Sequence, residues 1–181
     1  EEPTSNMASM GIYVFSTEVL IEKLNQFCDK EKSDFGHHII PEMITHNEVY
    51  TYEYDGYWKD VGTLRSFWEA NLSLTNPIPK LNLYDQDWRL HTRSEGEPPV
   101  KYGKQGMSIE SLVSNGAIIN GRVENSVISP GVVIKKGAVV KDSIIFNDTV
   151  IDYDTVINQS IVDKNVTIGA NCKIGEGDDL T

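Results

Sequence analysis

This 181-residue chain is poor in cysteine, histidine and basic side chains: two Cys, four His, and 16 Lys and Arg against 27 Asp and Glu. Each scarcity excludes something. A net charge of −11 argues against a broad nucleic-acid or anionic-membrane surface, because both would repel it. Net charge says little about one site, so a local pocket for a phosphorylated ligand stays open. No apolar run approaches the roughly 18 residues of a membrane span, and no signal-peptide pattern opens the chain. Cys28 and Cys172 follow no metal or disulfide spacing, which favours a reduced, cytoplasmic protein. The opening "EEPTSNMASM" does not read as a natural start, so a piece of a longer protein is expected.

What is present divides in three. Residues 7–15, "MASMGIYVF", suit a short buried strand. "STEVLIEKLNQFCDK" follows, with Thr17 as a plausible N-cap and Leu20, Leu24 and Phe27 on one helical face. "SDFGHHIIPEMITHN" offers Ser33 and Asp34 as caps, and Pro41 as a break or kink. "EVYTYEYDGYW" alternates like a strand, and Thr63 can cap a helix striped by Leu64, Phe67, Trp68 and Leu72. Alternating strands and helices over residues 1–75 read as the end of an α/β domain. Residues 76–106, with "NPIPK" and "SEGEPPVKYGKQG", read as a linker, pinned to a surface by the aromatics of "LNLYDQDW".

Over residues 107–181 the chain repeats itself. The triplets "SLV" at 111, "SVI" at 126, "SII" at 143 and "SIV" at 160 head four segments, the first gap being 15 residues and the later ones 17. Aliphatics recur every sixth residue: Ile128, Ile134, Val140; Ile145, Ile151, Ile157; Val162, Ile168, Ile174. This is the pattern of a hexapeptide β-helix, in which three short strands make one triangular coil. A rival register, Val132, Ala138, Ile144, Val150 and Val156, steps by six without a slip. It would turn Lys136, Asp142, Asp148 and Asp154 inward, and each unpaired charge would cost several kcal/mol, on the order of the whole stability margin. The slipped register puts Val132, Ala138, Thr149, Thr155, Val166 and Cys172 there instead and is the one expected, with coils of about 17–18 residues. Such a helix normally winds left-handed, although spacing alone does not set the hand. The tail "GEGDDLT" would leave an uncovered coil, so continuation of the chain or cover by a partner is expected there.

Few residues invite chemistry. Asp60 lies between a predicted strand and a helix cap, where open α/β sheets place ligand groups; it reads either as a metal ligand or as a helix-entry residue. One Asp cannot hold Mg²⁺ tightly without a second carboxylate or substrate phosphates. Ser9 could hydrogen-bond a ligand at a sheet end, or be a small core residue. His37 and His38 point about 100° apart on a helix and cannot chelate one ion. Lys135, Lys136, Lys141, Lys164 and Lys173 read as exposed turn residues. The repeat serines read as turn or corner residues, since no histidine follows His91 to act as a base. That same lack weighs against a hexapeptide acyltransferase.

Together, "EEPTSNMASMGIYVF", "SDFGHHIIP", "YDGYWKDVGTLRSFWEANLSL", "PPVKY", the serine-headed repeats and "SIVDKNVTIG" resemble the C-terminal part of bacterial glucose-1-phosphate adenylyltransferases, the ADP-glucose pyrophosphorylases. The resemblance implies an α/β remnant of a Rossmann-like nucleotidyltransferase domain followed by a left-handed parallel β-helix. It implies ATP and glucose 1-phosphate as substrates, ADP-glucose for glycogen as product, Mg²⁺ as cofactor, an allosteric metabolite effector and a homotetrameric parent. Asp60 matches the second of two metal-holding aspartates, Ser9 a serine that contacts glucose 1-phosphate, and Lys164 a basic effector-binding position. The family's Gly-rich nucleotide loop with its catalytic arginine, the first metal aspartate and the Glu-Lys-Pro motif are absent, so the chain alone is expected to be inactive. Another sugar-1-phosphate nucleotidyltransferase and a non-catalytic regulatory or assembly subunit are the other readings.

Overall fold

A computed structural model describes residues 6–27, 33–92 and 96–175. Cys28, the first five residues and the tail from 176 lie outside the described residues. The chain forms two compact units that part between Asp55 and Gly56.

The first unit is helical. Helix α1 spans Thr17–Phe27, but Leu20 N–H bonds the Ser16 carbonyl, so the first turn opens one residue before the expected Thr17 cap. Asp34 is a cap as expected: its Oδ1 accepts the His37 N–H at 2.8 Å, and that bond holds the carboxyl below its usual range. A π-helical turn, Phe35–Ile39, runs into α2, Ile40–His46, with Pro41 in its first turn. Pro41 has no N–H to give, and the ladder just before it widens so that Ile40 N–H reaches the Phe35 carbonyl. Phe27, Ile39 and Met43 form a buried hydrophobic cluster, with Phe15, Val19 and Phe35 packed on them. Lys23, itself buried, reaches Glu42 at 2.9 Å, and that contact holds the Glu42 carboxyl low.

Two expectations fail in this unit. Residues 7–15 and 48–55 form no strand among the described residues, and Val14 and Tyr52 are 97% and 90% exposed. The reason is physical: a strand-like segment becomes a strand only when a second backbone pairs with its N–H and C=O groups, and none among the described residues does so here. His37 and His38 are exposed, with ring centroids 6.5 Å apart, as their adjacency predicts.

The second unit is a parallel β-helix with one helix on it. Its strands stack into three sheets. One holds β1 (Lys101–Tyr102), β4 (Ile118–Ile119), β7 (Val133–Ile134), β10 (Val150–Ile151) and β13 (Thr167–Ile168). The next holds β2 (Met107–Ile109), β5 (Arg122–Glu124), β8 (Val139–Lys141), β11 (Val156–Asn158) and β14 (Lys173–Ile174). The third holds β3 (Leu112–Val113), β6 (Val127–Ile128), β9 (Ile144–Ile145) and β12 (Ile161–Val162). All pairs are parallel; Val133 pairs with Val150 and Val150 with Thr167, a step of 17 residues, whereas Ile118 pairs with Val133, a step of 15.

The slipped register is the one adopted. Ile128, Ile134, Val140, Ile145, Ile151 and Ile157 are completely buried, and so are Val132, Thr149 and Thr155. Each isoleucine taken from water contributes about 1.5–3 kcal/mol. The charges that the rival register would have turned inward occupy corners instead. Asp142, Asp148 and Asp154 have φ of 47°, 58° and 55°, a left-handed conformation that Asp and Asn tolerate better than most residues.

The repeat serines are corner residues. Each hydroxyl donates to a carbonyl two residues back, Ser126 to Glu124 and Ser143 to Lys141, both at 2.6 Å. The same oxygens accept the N–H of the next serine along the coil, Ser143 and Ser160, both at 3.1 Å. Thr155 does similar work at another corner, donating to the Gly169 carbonyl at 2.7 Å.

The linker expectation needs correcting at its C-terminal end and in its aromatics. The coil starts before residue 107, because Lys101 and Tyr102 pair with Ile118 and Ile119 and Val100 packs on the core. The Pro and Gly of "PPVKYGKQG" mark a coil corner rather than a crossing. The aromatics meant to pin residues 81–88 do not: Tyr84 and Trp88 are 73% and 78% exposed. Lys135 also departs from its expected role, since it is half-buried and pairs with Asp152 at 3.2 Å.

Helix α3, Leu64–Ser73, begins at Thr63 with the expected cap, reinforced by Ser66 into a reciprocal capping box. It packs on the coil instead of belonging to the first unit. Ile144 points out of the coil yet is 1% exposed, the Phe67 ring lies 6.3 Å from that of Phe146, and Trp68 Nε1 donates to the Asp142 carbonyl at 2.8 Å. Thr75 Oγ1 lies 2.7 Å from Asn125 Oδ1, and the Asn125 amide donates to Asp142 Oδ1 at 2.6 Å. Leu64, expected in the apolar stripe, is 71% exposed.

Candidate functional site

Asp60 is built by the turn that starts α3. Its Oδ1 accepts the Gly62 N–H at 3.1 Å, closing an Asx turn just ahead of the Thr63 cap. The side chain is exposed. It is neither covered by the coil nor engaged by a cation among the described residues. On either side, Lys59 and Arg65 both reach Glu69, at 3.1 Å each, and hold its carboxyl below the usual range, Lys59 having the larger effect. Glu69 thereby fastens the segment before α3 to the helix that follows it. With α3 anchored on the coil through Trp68, the Asp60 turn hangs on a fixed support. Sequence reasoning found the cap and the carboxylate but missed Lys59–Glu69 and the landing of Trp68. The first has no local signal, since ten residues separate the pair; the second needed the coil's surface.

The carboxylate fits a divalent cation as one monodentate ligand. Oδ1 is shared with the Gly62 N–H, and no cluster of three or more His, Cys, Asp or Glu gathers as a metal site among the described residues. The remaining ligands of such an ion would have to be substrate oxygens or groups outside the described residues.

Ser9 lies in the first unit and is exposed, not a core residue. Its Oγ accepts the Gly11 N–H at 3.2 Å and lies 3.2 Å from the Tyr13 hydroxyl. Gly11 has φ of 70°, a left-handed conformation that glycine adopts at little cost and that lets this Ser-Met-Gly turn close. Lys164 follows β12 on the coil, exposed, its N–H bonded to Asp163 Oδ1 at 2.8 Å. No hydrogen bond or ion pair joins Lys164 to Asp60 among the described residues. The three residues thus occupy three separate settings: a turn in the helical unit, a turn at a helix entry and a corner of the coil.

Comparison with known proteins follows this division. The nucleotidyl transferase family matches residues 1–77, and the GlmU-like C-terminal hexapeptide family matches residues 99–180. A glucose-1-phosphate adenylyltransferase of Thermomicrobium roseum is 50% identical across 99% of the chain, which covers 42% of that protein. Those of Lachnospira eligens and Pseudothermotoga lettingae are 47% and 49% identical over 74% and 72% of the chain. The resemblance to glucose-1-phosphate adenylyltransferases is upheld. The chain spans about a third of the length of these last two relatives, 32% in each case. It therefore joins part of a nucleotidyl transferase domain to a hexapeptide coil, and α3 and its cap lie inside the nucleotidyl transferase match while packing on the coil. Among the described residues no helix is long and apolar enough to cross a membrane.

Proposed function

We propose that this chain is the C-terminal portion of an enzyme that makes ADP-glucose and pyrophosphate from ATP and glucose 1-phosphate for glycogen synthesis in the cytoplasm. Residues 1–75 would be the end of its nucleotidyltransferase domain, with α3 as the strut between that domain's last turn and the coil. The coil, wound left-handed as the resemblance implies, would serve assembly into a tetramer and regulation. One observation carries this reading: 50% identity to one adenylyltransferase running across both the helical unit and the coil.

The reaction asks for charge neutralisation and in-line positioning more than acid–base work. Mg²⁺, when bound, would supply positive charge at the phosphates of ATP. Asp60 offers the carboxylate to hold it, free in its Oδ2 and fixed in orientation through the Gly62 N–H. Ser9 offers a hydroxyl for glucose 1-phosphate, exposed in the turn that Gly11 closes. Lys164 offers an unshielded ammonium for an anionic effector.

The test is direct. This chain alone should form no ADP-glucose from ATP and glucose 1-phosphate, and a full-length protein containing it should turn over. In that protein Asp60→Asn should cost about 10²–10³ in kcat, the loss expected when a preorganised charge-stabilising group goes. Turnover by the chain alone, or a normal rate in the Asp60→Asn enzyme, would overturn the reading. Lys164→Ala should shift effector curves while leaving unactivated turnover alone.

A further inference from the structure

The coil carries a notch that its repeat length creates. Between β1 and β2, and again between β7 and β8, the corner has four residues; between β4 and β5 it has two, Asn120 and Gly121. This is where the 15-residue coil loses its length. The short corner recedes between its taller neighbours and leaves an open recess of about 430 Å³, lined by Lys104, Gln105, Asn120, Lys135, Lys136 and Tyr153. Small-ligand sites are typically about 300–1,000 Å³.

The recess is held open by close packing beneath it. A Cβ on Gly121 would meet the Lys135 carbonyl oxygen at 2.8 Å and collide with that of Ala138, so this corner lies flat against the next coil. A Cβ on Gly103 would collide with Asn120 Oδ1, so the Asn120 carboxamide lies over Gly103.

Its charge is opposite to that of the chain. Three ammonium groups and two carboxamides line it, and no carboxylate does, in a protein of net charge −11. Lys135 is fixed: its Nζ lies 3.2 Å from Asp152 Oδ1 and 4.9 Å from the centre of the Tyr153 ring. Asp152 is held low by the Tyr153 N–H and then by Lys135, so it stays ionised and keeps Lys135 in place. Lys104 and Lys136 make no ion pair among the described residues. Two uncompensated ammonium groups, with carboxamide donors beside them, suit an anion of two charges with several acceptor oxygens.

We propose that this notch binds a phosphate dianion, free or at the end of a small metabolite. The site is separate from Lys164, which lies at a different corner of the coil, and it does not depend on the chain's catalytic assignment.

Titration of the ¹⁵N-labelled chain with inorganic phosphate and, in parallel, glycerol 3-phosphate tests this, with sodium chloride holding the ionic strength constant. The amides of Lys104, Asn120, Gly121 and Lys136 should shift saturably, and the ligand that binds more tightly identifies the free or the esterified source. The double variant Lys104→Gln/Lys136→Gln should weaken binding at least tenfold. Both side chains are exposed, and unchanged amide positions in β10 would verify that the variant keeps the coil. Shifts that never saturate with either ligand, or an undiminished affinity in the folded double variant, would overturn the proposal.

Discussion

Ile151 of the coil is completely buried, whereas Val14 of the helical unit is 97% exposed, although both lie in segments whose composition favours a strand. The coil supplies its own partners, since every strand meets a copy of itself 15 or 17 residues away. The segment at 7–15 has the apolar composition of a buried strand but nothing to pair with among the described residues. A repeat brings its neighbours with it; a lone apolar segment must be given them. Four perturbations would break or sharpen this contrast.

The largest effect should come from charge in the coil. Ile151→Asp should cost at least about 3–5 kcal/mol and abolish the cooperative β transition in circular dichroism, because an unpaired carboxylate would sit in a closed stack. Val14→Asp should stay within about 0.5 kcal/mol, as for other exposed sites. Equal losses would mean that the two segments are not as different as their burial says.

Next comes the serine ladder. Ser143→Ala strands the Ser160 N–H beside a corner and should cost about 1–3 kcal/mol by urea unfolding, while Ser9→Ala should cost almost nothing. A neutral Ser143→Ala would reduce the ladder to coincidence.

Smaller still are the caps. Thr63→Ala should lose about 1 kcal/mol and speed hydrogen exchange at the start of α3, and Thr63→Ser should restore it. Asp34→Ala should act only on the π-helical turn of the other unit.

The smallest effect is a pH dependence. Glu69 ionises below its ordinary 4.5 because Lys59 and Arg65 face it, so its contribution is fully present above that value and is lost as pH falls through the lower folded value. The melting-temperature gap between the native chain and Glu69→Gln should narrow from about pH 6 to about pH 3, and narrow also with added salt. A gap that widens on acidification would place the stabilising charge elsewhere.

Much of the coil was legible because its rule is local and repeated. Unpaired charge cannot face inward, and that alone chose the slipped aliphatic register over one that steps by six without a break. The caps at Asp34 and Thr63 were legible for a similar reason, since each satisfies an N–H only three residues away. The strand at Lys101–Tyr102 was not, because its neighbours Pro, Gly and Lys read as linker until a coil is present to pair with it. At the candidate site, the Asp60 turn could be placed from "KDVGT". That Ser9 faces solvent could not be read in advance, because a short apolar run reads as buried until its covering partner is known.

The sequence by itself determined the coil's repeat, its inward face and its one shorter step, because six-residue periodicity and the cost of burying charge act within a few turns of chain. Only the tertiary structure decided where α3 lies, that Trp68 reaches the Asp142 carbonyl, and that Lys104 and Lys136 flank one recess. Those partners stand tens of positions apart, and surfaces that far apart along a chain are matched by packing rather than by any local pattern.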